Sequence, residues 1–259
     1  MPAPRNTLKH TLKEGQLQLG CWLGMADPYA AEIASTASFD WLLIDGEHAP
    51  NDLRSILAQL QIVQASDAHA AVRLPVGETW MIKQVLDAGA QTILIPMVES
   101  GEQARELVRA VTYPPHGVRG VGAALARASG FSAIPDYMQT ADEQICLMAQ
   151  VENRAGLEAL DDILAVDGID CVFIGPADLA ADLGHPGQLD HPEVDGVIMD
   201  TLSRIVQAGK VAGILTLDPQ MQKRYAEAGV TFMATAIDVL VFADAMRRSS
   251  DETRALLAS

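Results

Sequence analysis

Short apolar runs rich in β-branched residues alternate with longer amphipathic stretches from one end of the chain to the other. LQLGCWLG (17–24), FDWLLID (39–45), AAVRLP (70–75), QTILIPM (91–97), ICLMAQVE (145–152), DCVFIG (170–175), VAGIL (211–215) and VTFMATA (230–236) read as strands. Between them PYAAEIASTA (28–37), NDLRSILAQLQIVQ (51–64), TWMIKQVLDAG (79–89), GEQARELVRAVT (101–112), AGLEALDDILAV (155–166) and PQMQKRYAEAG (219–229) carry helical spacing. Several end in Gly or Ala-Gly, the usual helix stop. Strands alternating with helices of this length imply βαβ units and a parallel sheet, and eight units are the number that closes a barrel. The predicted fold is a (β/α)8 TIM barrel forming one domain over residues 1–259. An open doubly wound sheet usually carries a Gly-rich turn after its first strand; here that turn reads GMADPYA.

Two segments break the rhythm. Residues 113–144, YPPHGVRGVGAALARASGFSAIPDYMQTADEQ, are a long Pro- and Gly-rich excursion between the fourth and fifth strands, of the kind that supplies a mobile loop near a substrate. Its glycines lack both G-x-G-x-x-G spacing and a Walker lysine, so nucleotide binding is discounted. Residues 239–258 form a surplus C-terminal helix, apolar at its start, which is expected to dock on another subunit.

Composition narrows the partners. At 259 residues and 49% hydrophobic, the chain can close a large core of barrel size. The formal charge of −16 repels phosphate backbones and anionic headgroups, which argues against nucleic acid and membrane surfaces. With no run near the roughly 18 apolar residues of a membrane helix and no signal core at the start, a cytoplasmic protein is expected. Cys21, Cys146 and Cys171 lie inside apolar runs without metal or disulfide spacing and read as buried reduced thiols.

In a barrel the reacting groups sit where strands end, so the residues at the close of each apolar run are the candidates. The second run ends in Asp45, Glu47 and His48, the third holds Arg73, the fifth ends Gln150-Val151-Glu152, and the sixth leads into GPADLA with Gly175, Ala177 and Asp178. Strand parity puts Gln150 and Glu152 on one face, lining the mouth. Glu152 and Asp178 come from neighbouring strands, and two acids without soft ligands suit a hard divalent ion; exposed loop acids are the plain alternative. Arg73 calls for an anion or developing negative charge, or else a structural ion pair with Glu152 or Asp45. Among six histidines only His48 combines a strand end with acidic neighbours; His10, His69, His116, His185 and His191 read as surface or loop residues. Pro176 and Ala177 open a short helix whose free N–H groups could face a carboxylate, or they form an ordinary turn. Asp87, in the helix before the fourth strand, is a further possible partner of His48, and Trp22 is either a pocket wall or structural.

LLIDGEHAPND, QVLDAGAQTILIPMVES, YPPHGVRGVGAALARAS, QVENRAG and VFIGPADLAADLG, in that order and over nearly the whole chain, resemble the hydroxy-oxo-heptanedioate aldolases, class II metal-dependent pyruvate aldolases. The resemblance implies a (β/α)8 barrel whose last helix is exchanged between subunits of a homo-oligomer, commonly a hexamer built as a trimer of dimers. It implies reversible cleavage of 4-hydroxy-2-oxo acids to pyruvate and an aldehyde through a metal-bound pyruvate enolate, in a setting of aromatic-compound catabolism. By position, Glu152 and Asp178 would hold the divalent metal ion (Mg²⁺ or Mn²⁺, with Co²⁺ or Zn²⁺ as further options). Gln150, Gly175, Ala177 and Asp178 would contact the 2-oxo acid, and Arg73 would stabilise the enolate. His48 would be the base with Asp87 as the acid raising its basicity, and Asp45 an additional orienter. No Schiff-base lysine is required.

The segment GILTLDPQ departs from the pattern of the best-known members, so the aldehyde pocket near Leu215 and Thr216 is expected to differ, with Trp22 as a wall. Two alternatives stand beside this reading. One is a CoA-thioester lyase of the malyl- or citramalyl-CoA type using the same enolate chemistry, which would need a basic groove for the CoA phosphates. The other is a catalytically idle metal- or oxo-acid-binding protein, which retention of Arg73 and His48 argues against.

Overall fold

Trp41 stacks on Phe232 with ring centroids 3.9 Å apart, inside a ring of parallel strands that closes without an edge. The computed structural model describes residues 1–258. In chain order the elements are α1 (Thr7–Lys13), β1 (Gln18–Leu23), α2 (Pro28–Ser35), β2 (Trp41–Asp45), α3 (Leu53–Val63), β3 (His69–Arg73), α4 (Thr79–Ala88), β4 (Thr92–Ile95) and α5 (Gly101–Val111). They continue with α6 (Tyr137–Thr140), β5 (Cys146–Val151), α7 (Arg154–Glu158), α8 (Leu160–Leu164), β6 (Cys171–Ile174), α9 (Pro176–Asp182), α10 (Pro192–Gln207), β7 (Val211–Leu215), α11 (Pro219–Glu227), β8 (Phe232–Ile237) and α12 (Asp238–Ala258). Each strand pairs with the next and β8 pairs with β1, giving the expected closed eight-stranded (β/α)8 barrel.

Period-two alternation divides the core into two layers. Trp22, Trp41, Leu43, Ala71, Leu94, Met148, Phe173 and Phe232 fill the barrel. Leu42, Ile44, Val72, Ile93, Leu147, Ala149, Val172 and Ile174 face outward onto Ile56, Leu60, Ile82, Leu86 and Leu107 of the helices. Gly20 has no side chain because one would run into the Trp41 ring. The three cysteines are buried free thiols, as expected.

One end of the barrel is plugged and the other is open to chemistry. Leu8 and Leu12 of α1 join the inner cluster, and Asn6 Nδ2 donates to Thr92 Oγ1 at 3.1 Å, so α1 stoppers the end where the strands begin. The excursion 113–144 belongs to this same end. It comes after α5, so it leads into the start of β5 rather than over the strand ends, and it is tied to the plug by Ala3 N–H to Thr140 Oγ1 at 2.8 Å and Asn6 N–H to Gln144 Oε1 at 2.9 Å. The expected loop near the substrate is therefore at the opposite end of its own barrel.

Other departures are local. The 155–166 stretch breaks into α7 and α8 at Ala159, and α1 and α10 lie outside the helices named from sequence. His69 is the half-buried first residue of β3, within 3.0 Å of Thr7 Oγ1, and not a loop residue. The last helix runs unbroken for 21 residues with none buried, leaving Val239, Leu240, Val241, Phe242 and Met246 exposed. No helix among the described residues is long and apolar enough to cross a membrane.

Candidate active site

The open rim gathers polar side chains at the ends of β2, β3, β5 and β6. Asp45 and Arg73 are register partners across β2 and β3, both inward-facing, and their side chains meet as a fork: Arg73 Nε donates to Asp45 Oδ1 at 2.8 Å and Nη2 to Oδ2 at 2.6 Å. Arg73 Nη1 lies 2.8 Å from Glu47 Oε2, and its guanidinium carbon stands 4.9 Å over the Trp22 ring, which in turn leans on Phe173. Of the two structural partners considered for Arg73, the ion pair forms with Asp45. Two of the five guanidinium N–H groups make hydrogen bonds, leaving one on Nη2 and the two on Nη1, which faces Glu47, for a ligand.

Charge reflects this geometry. Burial would lift the Asp45 carboxyl, but the hydrogen bonds and charge of Arg73, with the Glu47 N–H, outweigh it and hold the carboxyl below its ordinary value. Glu47 goes the other way: half-desolvation raises it, and the opposing pull of Arg73 and His48 does not compensate. Gly46 can make this turn because its N–H bonds to the Arg73 carbonyl at 2.8 Å, where a side chain would press on that oxygen.

Across the mouth, Glu152 ends β5 almost fully buried. Its Oε1 accepts the Met97 N–H at 2.9 Å, from a residue held at a left-handed φ of 53°, and its Oε2 accepts a short hydrogen bond from Gln150 Nε2. Burial, reinforced by nearby Asp178, raises the Glu152 carboxyl despite those two donors. Gln150 Oε1 is buried without a partner. Gly175 leaves room beside this pair, since any Cβ there would enter the space of the Glu152 carboxylate. Asp178 is exposed in the first turn of α9, next to Ala177; first-turn N–H groups have no intrahelical partner.

These residues fit a hard divalent ion. A carboxylate whose burial outweighs its hydrogen bonds and the charge of Arg73, a second carboxylate from the neighbouring strand end and a glycine that keeps the space open make an all-oxygen donor set with positions to spare.

The sequence matches the family described as HpcH/HpaI aldolase/citrate lyase over residues 18–245. The chain belongs to this family. It is 61% identical to a hydroxypyruvate/pyruvate aldolase of Roseovarius nubinhibens, over 96% of this chain and 97% of that one. It is 50% identical to a 4-hydroxy-2-oxo-heptane-1,7-dioate aldolase of Klebsiella pneumoniae, over 92% and 90%. A solved HpcH/HpaI aldolase/citrate lyase family structure from Burkholderia cenocepacia superposes with a TM-score of 0.92 at 39% identity, covering 96% and 99%. The protein is thus a carbon–carbon lyase of the aldolase type.

Within this HpcH/HpaI chain most of the sequence-predicted residues share one rim. Asp45, Glu47, His48, Arg73, Gln150, Glu152, Gly175, Ala177 and Asp178 end the strands β2, β3, β5 and β6 or come directly after them. Leu215 ends β7, faces the inner cluster, and also borders a cleft of about 430 Å³ with Thr216, Leu217, Met221 and Pro176. Asp87 does not join them. It lies in the last turn of α4, the turn farthest from the rim, where buried Arg119 donates to it at 3.3 Å. His48 is mostly exposed, and its ion-pair neighbour is Glu47 at 3.9 Å. Met97, a donor to Glu152, is not identifiable from sequence; its signal is backbone conformation, which residue type does not reveal. His185 and His191 on the α9–α10 connection lie together with Glu193 of the first turn of α10, but His185 bonds Glu193 and His191 caps α10, in keeping with a loop role for the two histidines.

Proposed function

We propose that the protein is a divalent-metal-dependent aldolase that cleaves 4-hydroxy-2-oxo acids to pyruvate and an aldehyde, reversibly. The observation that carries this is the pairing of Glu152, whose burial outweighs its hydrogen bonds and the charge of Arg73, with an Arg73 that keeps three N–H groups free of hydrogen bonds on the same rim. Glu152 and Asp178 would hold the ion, Mg²⁺ or Mn²⁺ by donor chemistry, and when bound it polarises the 2-oxo group as a Lewis acid. Gln150, with its free Oε1, and the first-turn N–H groups of Ala177 and Asp178 bind and orient the 2-oxo acid. His48 takes the proton of the C4 hydroxyl, the O–H electron pair becomes the aldehyde carbonyl, and the C3–C4 pair passes to the 2-oxo end as an enolate. Arg73 donates to the oxygen where this charge collects. A proton returned to C3 completes pyruvate.

Relatives named as both hydroxypyruvate/pyruvate and heptanedioate aldolases support a three-carbon 2-oxo donor with a variable aldehyde, and support the aldolase over the CoA-thioester reading. Trp22 and Leu215 are the proposed walls on the aldehyde side. The exposed apolar start of α12 supports a homo-oligomer, a hexamer being our working assembly, and Asp87 reaches a His48 only on another copy. Proton exchange at C3 of pyruvate in D₂O, followed by NMR, tests the donor half alone. Loss of the methyl signal is expected with Mg²⁺ and not with EDTA; exchange unaffected by EDTA contradicts the proposal.

A further inference from the structure

The glycine cluster of the 113–144 excursion, GVRGVG (117–122), has no part in the chemistry above, yet it is laid closely along α4. Gly117 packs against the end of α5, where a side chain would run into the Thr112 and Arg109 carbonyl oxygens. A Cβ at Gly120 would stand 2.7 Å from Lys83 Cδ, and one at Gly122 would stand 3.5 Å from Asp87 Oδ2. Lys83 and Asp87 are one helical turn apart, so the segment follows that face of α4. Between Gly117 and Gly120 it buries Arg119 completely.

That guanidinium has few partners. Its Nη2 donates to Asp87 Oδ1 and to Tyr137 Oη, each at 3.3 Å, while Nε and Nη1 have no acceptor. The Tyr113 ring lies 4.4 Å and the Tyr137 ring 5.9 Å from its central carbon; aromatic faces attract a cation but do not neutralise it. Asp142 spends both carboxylate oxygens on the Tyr113 N–H, so among the described residues Asp87 is the ion-pair partner of Arg119. The dependence is mutual. Asp87 sits in the last turn of α4, where the helix dipole opposes a negative charge, and the buried cation offsets that. Its side chain is 24% exposed, and its Oδ2, with only a glycine beside it, takes no hydrogen bond among the described residues.

We propose that Arg119 is the positioning residue of Asp87: it fixes the carboxylate through Oδ1, so that Oδ2 stands open at the subunit surface to accept the imidazole N–H of a His48 on another copy. Gly120 lets the segment lie against α4, and Gly122 leaves Oδ2 uncovered. Arg119 touches no reacting atom and neither gains nor loses a proton; it acts by holding one carboxylate in one orientation. This rests on the aldolase reading above and on Asp87 as the partner of a His48 on another copy.

The test is a double-mutant cycle in the metal-loaded enzyme, with pyruvate release as readout. Arg119→Gln is expected to lower kcat by about 10- to 100-fold with KM for the 2-oxo acid and the assembly mass little changed, and to cost less than about twofold more in an Asp87→Asn background. Arg119→Lys, which keeps the charge, should recover part of the loss. Gly122→Leu, which covers Oδ2 and leaves the ion pair in place, should also lower kcat. Losses that multiply in the double variant, an Arg119→Gln effect on KM alone, or a fall in kcat that tracks dissociation of the assembly overturn the assignment. So does a Gly122→Leu enzyme with wild-type kcat. Should Arg119→Gln not fold, the cycle is run with Arg119→Lys under the same criteria. A wild-type enzyme without metal-dependent pyruvate release defeats the aldolase reading itself, and an Asp87→Asn enzyme with wild-type kcat defeats the pairing of Asp87 with His48. A slow Asp87→Asn enzyme with multiplying losses defeats only the role of Arg119.

Discussion

Arg73 and Asp45 face each other across β2 and β3 in a two-bond fork, 2.8 and 2.6 Å, at the point where both strands end. Because both side chains are buried, the pair fixes the guanidinium rigidly over Trp22. Asp45→Asn breaks the fork, leaves the buried guanidinium with only Glu47 as an ion-pair partner among the described residues, and is expected to cost about 3 kcal/mol of stability at neutral pH, read by urea unfolding. The Asp45 carboxyl is held below its ordinary value in the folded state. Its contribution is therefore present above the ordinary Asp range and lost as pH falls toward the depressed value, so Asp45→Asn should flatten the acid side of the stability profile. An unchanged acid side would show that the fork adds nothing to folding.

Arg73→Lys keeps a positive charge but has no planar fork, so it can satisfy Asp45 or the substrate but not both. We expect kcat to drop by about 10²- to 10³-fold, roughly 3 kcal/mol of lost enolate stabilisation, with a smaller change in KM. Steady-state kinetics decide; an effect confined to KM assigns Arg73 to ground-state binding.

Glu152→Gln removes the buried carboxylate from the proposed ion site. Calorimetric Mg²⁺ or Mn²⁺ binding and metal-dependent turnover should both disappear. The fold should persist without a stability loss, because the amide has the size of the carboxyl and keeps an oxygen to accept the Met97 N–H. Full metal affinity in this variant would move the site elsewhere.

Gly175→Ala puts a methyl group against the Glu152 carboxylate. Metal affinity and kcat should fall together while circular dichroism is unchanged. Activity equal to wild type would mean that Glu152 has another place to go.

Much of this arrangement is legible in the chain. Eight apolar runs specify the barrel, and period-two parity puts Gln150 and Glu152 on the inner face, because both signals are local and repeat within a few residues. Which acid meets which cation is not legible, since it depends on register and helix direction. Asp45 meets Arg73 because their strands pair in that register, while Asp87 meets Arg119, 32 residues on, at the far end of α4. The 113–144 excursion carries loop composition but no mark of which end of the barrel it serves; only its place after α5 decides that.

Val241 and Phe242 sit exposed on α12, whose 21 residues have none buried in their own barrel. Replacing both with Asp should reduce the assembly mass by light scattering while leaving the barrel folded. An unchanged mass would locate the subunit contact on another face.

Metal-dependent carbon–carbon cleavage at this rim is tested most directly by pyruvate release from a 4-hydroxy-2-oxo acid, using enzyme stripped with EDTA and then given Mg²⁺ or Mn²⁺. No release is expected from the stripped enzyme, with recovery on adding the ion and no recovery in Glu152→Gln; cleavage that continues at full rate in EDTA contradicts a metal-dependent reaction.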